Sequence, residues 1–160
     1  MSSFGAIKEQ VYTILGSIAV VDGYNFDWGT KRRLDTYIKS SETVTATVHY
    51  PEDAPLAEEI LDQSTNEYRI IARNIEIKAK VKSTTTIIKT ENVVDENNEV
   101  IDDMLDDLMT AFNSSTLNSC DLGVQSVDFI TASKEDITSK GAYYPYLLNA
   151  EFQIIYRKAR

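Results

Sequence analysis

The sequence predicts an α+β domain: a small, mostly antiparallel sheet with two main helices packed on one face, in the order α-β-β-α-β-β. Two stretches place apolar residues at helical steps of three and four, and four others alternate apolar with polar residues as half-buried strands do. The chain has 160 residues, 42% hydrophobic and 26% charged, which is enough apolar material for one core. Residues 1–160 are therefore read as a single domain.

The first helix runs from Ser3 to about Ile18, where Phe4, Ile7, Val11, Ile14, Leu15 and Ile18 fall on one face. Ser2 or Ser3 supplies an N-cap, and Gly16 marks the fraying end. From Val20 to Arg33 the chain carries Asp22-Gly23, Asn25 and Gly29 among Tyr24, Phe26 and Trp28, which predicts a turn-rich loop pinned by its aromatics. A base-stacking platform is the alternative there, because Lys31, Arg32 and Arg33 follow directly.

Thr43 to Tyr50 alternates Val44, Ala46 and Val48 with threonines and His49, the pattern of a half-buried strand that Pro51 and Pro55 then end. The following EDAPLAEEILDQ is expected as a loop or a short acidic helical turn. Tyr68 to Val81 is the second strand. Tyr68, Ile70 and Ala72 share one parity and Ile75, Ile77, Ala79 and Val81 the other, so a bulge or kink is expected near Arg73-Asn74. Residues 83–99 are expected to form a mobile or partner-ordered connection. The second helix, about Val100 to Asn113, places Val100, Ile101, Met104, Leu105, Leu108, Met109 and Phe112 at helical spacing, with its aspartates on the opposite face. Two strands close the chain, Val124 to Ala132 and about Leu147 to Lys158, joined by a loop over Lys134 to Pro145.

Chemistry is thinly supplied. The chain holds one histidine, His49, and one cysteine, Cys120, with no glycine-rich phosphate loop. A converging acid-base pair or activated nucleophile needs several such groups at one point, so no catalytic residue is nominated and the chain is not expected to be an enzyme. The acidic run from Asp95 to Asp107 fails as a calcium loop, since Val100 stands where glycine is required and Asp106 where the closing glutamate belongs. No metal and no cofactor are expected.

The net charge of −9 opposes a broad phosphate-gripping surface, so DNA would pass without specific binding. No apolar stretch approaches the ~20 residues that span a bilayer, and the N-terminus lacks the basic and uninterrupted apolar regions of a secretion signal. Tyr143, Tyr144 and Tyr146 are the leading interface candidates, because tyrosine buries area while keeping a wet hydroxyl.

DDMLDDLMTAFN, then VQSVDFITAS, then YLLNAEFQIIYRKAR, resembles the ending of the tail terminator, or tail completion, proteins of long-tailed bacteriophages. The opening helix and β-rich middle fit the same order of elements. The resemblance implies a virion protein made in the host cytoplasm that forms a ring, usually a hexamer. That ring caps the finished tail tube and joins it to the head-side connector. Its partners would be other copies of itself, the tube protein and neck proteins. Tyr156 and Arg157, in the closing strand, join the tyrosine trio as candidate contact residues. Another head-completion protein of the same type, or a monomeric binding module using the Trp28 loop, are the alternatives.

Overall fold

A computed structural model describes residues 3–32, 42–49, 59–62, 68–81, 93–117, 123–136 and 146–159. Helix α1 spans Ser3–Gly16, and a short 3-10 turn follows at Val20–Asp22. Strands β1 (Trp28–Thr30), β2 (Val44–His49), β3 (Glu59–Asp62) and β4 (Tyr68–Val81) come next. Helices α2 (Val93–Ala111) and α3 (Ser114–Leu117) precede the long strands β5 (Val124–Asp136) and β6 (Tyr146–Ala159).

The domain is α+β, built on one mixed sheet of order β1-β2-β4-β6-β5, with β3 also paired to β4. The β1–β2 pairing is parallel and every other pairing is antiparallel. Two strands were not expected from the sequence. β1 lies inside the expected loop, and β3 takes up part of the expected loop or helical turn, whose beginning lies outside the described residues. Both are short strands added to the flanks of longer ones, too brief for alternation to register. α2 likewise starts at Val93, so the last part of the expected 83–99 connection is helical and its remainder lies outside the described residues.

Antiparallel register puts Ile71 opposite Tyr156, Ile75 opposite Phe152, Ile77 opposite Ala150 and Ala79 opposite Leu148, and all eight are buried. Phe4 of α1 stacks against Tyr156, with ring centroids 5.9 Å apart, and Phe112 after α2 meets Phe152 at 5.1 Å. Both helices therefore cover the same sheet face. Their core contributions are Phe4, Ile7, Val11 and Leu15 from α1 and Met104, Leu108 and Ala111 from α2. Burial of this set supplies the main stabilising term, at about 25 cal/mol per Å² of apolar surface.

The bulge expected at Arg73-Asn74 is absent. β4 pairs β6 without a break from Tyr68↔Ala159 to Lys80↔Leu147. Ile71, Arg73 and Ile75 keep a single phase on the helix face. The charged residue in that row is accommodated because the Arg73 guanidinium lies 4.0 Å over the Phe4 ring, a cation–π contact that lets a long stem cross apolar ground. Ala72, small and buried, faces the opposite side, and the pair Arg73/Ala72 imitates a phase slip. Bulges do occur, one in the β3–β4 pairing at Ile60/Asp62 and two in the β5–β6 pairing at Val124/Ser126 and Phe129/Thr131.

The sheet face away from the helices is largely polar. His49 pairs with Glu76, Thr47 with Lys78, and Lys78 with Asn149. Asn74 Nδ2 donates to Glu151 Oε1 at 3.1 Å, and Lys78 pairs with Glu76 at 3.4 Å. Burial, followed by the positive charge of Lys78, holds the His49 pKa below its usual value, against a smaller opposing pull from Glu76. On acidification the unfolded histidine takes up a proton before the folded one. Stability should therefore fall as pH drops through the ordinary histidine value of 6.5 and level off below the folded pKa. Denaturant midpoints measured from pH 7.5 to 5.5 test this: His49→Gln should flatten the slope, and an unchanged slope contradicts the assignment.

Candidate functional site

Three surface features stand out, all in the helix layer or along the sheet's ends. The first is the turn before β1. Val20 N–H donates to Asp27 Oδ1 at 2.9 Å, Asp22 N–H and Gly23 N–H close the 3-10 turn onto Ala19 O and Val20 O, and Gly23 takes a left-handed φ of 93°. Below it, Asp107 of α2 accepts the N–H of Asn25 at 2.8 Å, the N–H of Phe26 at 3.1 Å and Trp28 Nε1–H at 3.1 Å. Asp107 is buried and Trp28 with it. This clasp holds an apolar tip in the open, Val20 at 53% and Val21 at 90% exposure.

Trp28 is consequently a core residue, and the base-stacking or ligand-binding loop considered from the sequence loses its central ring. Arg32 is likewise engaged. Its guanidinium lies 4.0 Å over the Tyr12 ring and pairs in bidentate fashion with Glu9 at 2.8 and 2.6 Å. The hydrogen bonds from Arg32 pull the Glu9 carboxyl below its ordinary pKa, and Glu9 in turn raises that of Arg32.

Tyr12 also closes part of a sheet edge. β1 pairs only as far as Ala46, and beyond it Tyr12 Oη accepts the Val48 N–H at 3.2 Å and sits 3.2 Å from Thr47 Oγ1. A side chain thus takes the place of a neighbouring strand.

The opposite edge is different. Among the described residues β5 pairs only with β6, leaving the outer edge of a 13-residue strand without a strand partner. Its two bulges raise the local twist, and the second leaves Ile130 as the unpaired residue, 45% exposed beside Phe129 at 39%. Phe129 keeps one edge on Phe152, with ring centroids 5.8 Å apart. The bulge resets the phase, so Thr131, two residues after Phe129, pairs with Glu151 on the far face.

Between α2 and β5 lies an open groove of about 380 Å³. Ile101, Leu105, Ala132 and Leu148 make its apolar surface, and Asp102, Ser133 and Lys134 complete its lining.

Tyr143 and Tyr144 lie outside the described residues, as does Cys120. Tyr146 opens β6 opposite Asp136. Tyr156 must be corrected: it is fully buried against Phe4, because its place in β6 has the parity of Phe152 and Ile154, and it offers no surface contact. Arg157, one residue on, is exposed, and its N–H donates to Gly123 O at 3.0 Å.

Among the described residues no group of three or more His, Cys, Asp or Glu is placed to hold a metal ion, and no helix is long and apolar enough to cross a membrane. No protein-family model and no curated protein matches this chain. Among the described residues, the outer edge of β5 lacks a strand partner and has apolar side chains beside it that a contact could bury.

Proposed function

We propose that this chain is a structural virion subunit of a long-tailed phage, a tail terminator or tail completion protein that assembles into a ring, six protomers in the family it resembles. The ring caps the finished tail tube and joins it to the head-side connector, and DNA passes through it. No catalytic step belongs to this reading. The observation that carries it is the outer edge of β5, which among the described residues has no strand partner and which carries Phe129 and Ile130. Long exposed edges are templates for pairing with another chain. The opposite edge of this sheet is already covered in part by Tyr12, so the two ends differ, as head-to-tail subunits require.

The acidity fits the same role, because a channel that passes DNA works better when its walls repel phosphate than when they trap it. A second neck component of the same architecture shares these features and differs only in its partners. Electron imaging of the purified protein tests the reading. Wild type should show closed rings with an axial opening. Ile130→Lys, a change at an exposed bulge, should lose the rings while its unfolding free energy stays within about 0.5 kcal/mol of wild type. Rings that persist in that variant contradict the assignment of the β5 edge.

A further inference from the structure

We propose that the Val20–Val21 turn of one copy seats in the α2–β5 groove of a second copy. The inference rests on the ring reading above and names its contact. The turn leads directly into β1, one terminal strand of the sheet, and the groove runs along β5, the other terminal strand. Both features lie in the helix layer, on opposite flanks of α2: Asp107 holds the base of the turn, while Ile101 and Leu105 line the groove. A contact joining opposite ends of the same sheet is heterologous. Repeated, it closes into a ring when the rotation between copies divides a full turn.

The turn is built to be inserted. Val21 is almost wholly in water, although the backbone under it is fixed by the Asp27 and Asp107 hydrogen bonds and by Gly23. A segment ordered before binding gives up little conformational entropy on docking. Folding gains nothing from a valine at 90% exposure, whereas a partner that covers it gains its full apolar area. The groove offers a matching surface: half-buried Leu105 and Ala132 line its mouth over buried Leu148 and Ile101, and it is open enough to admit a turn.

Charge sets the direction. Asp22 follows Val21 and is exposed, and the groove carries Lys134 on its β5 side and Asp102 on its helix side. The turn therefore enters with Asp22 toward β5, beside Lys134 and away from Asp102. Opposite charges across a rim fix register more than they add affinity.

The test measures particle mass by light scattering over a concentration series for wild type, Val21→Asp, Asp22→Lys, Lys134→Asp and the double reversal. Thermal melts of each variant check that the fold is intact. Val21→Asp should raise the concentration at half-assembly about tenfold or more, the equivalent of losing one buried valine. Each single reversal should weaken assembly, and the double reversal should restore it. Assembly by Val21→Asp at the wild-type concentration overturns this contact and leaves the ring reading standing. A wild-type dimer that Val21→Asp splits keeps the contact and overturns the ring. A wild-type monomer throughout overturns both.

Discussion

Asp107→Ala is expected to lower the unfolding free energy by about 3 kcal/mol, from the ~1–3 kcal/mol that each buried donor costs when its acceptor is removed. The carboxylate serves three donors at once: the backbone N–H groups of Asn25 and Phe26 and the indole N–H of Trp28. Trp28 Nε1 is buried, so water cannot simply replace the lost oxygen there. Asn25 is exposed and recovers part of its loss from solvent, which keeps the total below the sum of three full penalties. Asp107→Asn, which keeps one acceptor oxygen, should cost less than Asp107→Ala. Urea unfolding of the three proteins measures both values. A loss under about 1 kcal/mol for Asp107→Ala would mean that the clasp is not made in solution.

Leu108→Asp should abolish cooperative unfolding altogether. Leu108 is fully buried among α1, α2 and the sheet, and an unpaired carboxylate there adds a desolvation penalty to the ~2–5 kcal/mol lost with a core leucine. Total stabilities of ~5–15 kcal/mol leave little after such a loss. Leu105→Asp provides the contrast. The spacing of α2 puts both leucines on the apolar stripe, and both substitutions would be expected to unfold the chain on that basis alone. Leu105, however, lies on the half-buried flank that lines the groove, where water can reach a carboxylate. Leu105→Asp should retain a cooperative melt at lower temperature. A native melt in Leu108→Asp would mean that α2 packs differently.

Much of the fold was legible because periodicity reports burial. The stripe Phe4, Ile7, Val11, Leu15 located α1, and the alternation Leu148, Ala150, Phe152, Ile154 located β6. Where periodicity misled, a side chain behaved atypically for its class. Arg73 occupies a core-face position by lying over Phe4, and so disguised a continuous strand as a broken one. Tyr156 looked like surface because tyrosine often is, yet its parity placed it in the core.

The Asp107 clasp, the groove and the β5 edge were less legible. Asp107 carried a usable signal: it falls three residues after Met104 and four before Ala111, on the buried stripe, where a carboxylate must find donors. The adjacent pair Phe129-Ile130 also marked a point where strict alternation fails. The groove and the exposure of Val21 had no signature at all, since both depend on how α2 crosses elements distant in sequence. An unpaired edge is likewise a property of strand order, and the sequence of β5 does not encode which strand it lacks.

In the proposed role the chain works as a closed ring of identical subunits. Absolute mass by light scattering on the purified protein, across a concentration series, decides it. The prediction is a discrete species of about six 18.0 kDa protomers that gains population with concentration and does not grow beyond that size. A mass of one protomer at every concentration, or an unbounded series of larger species, contradicts it.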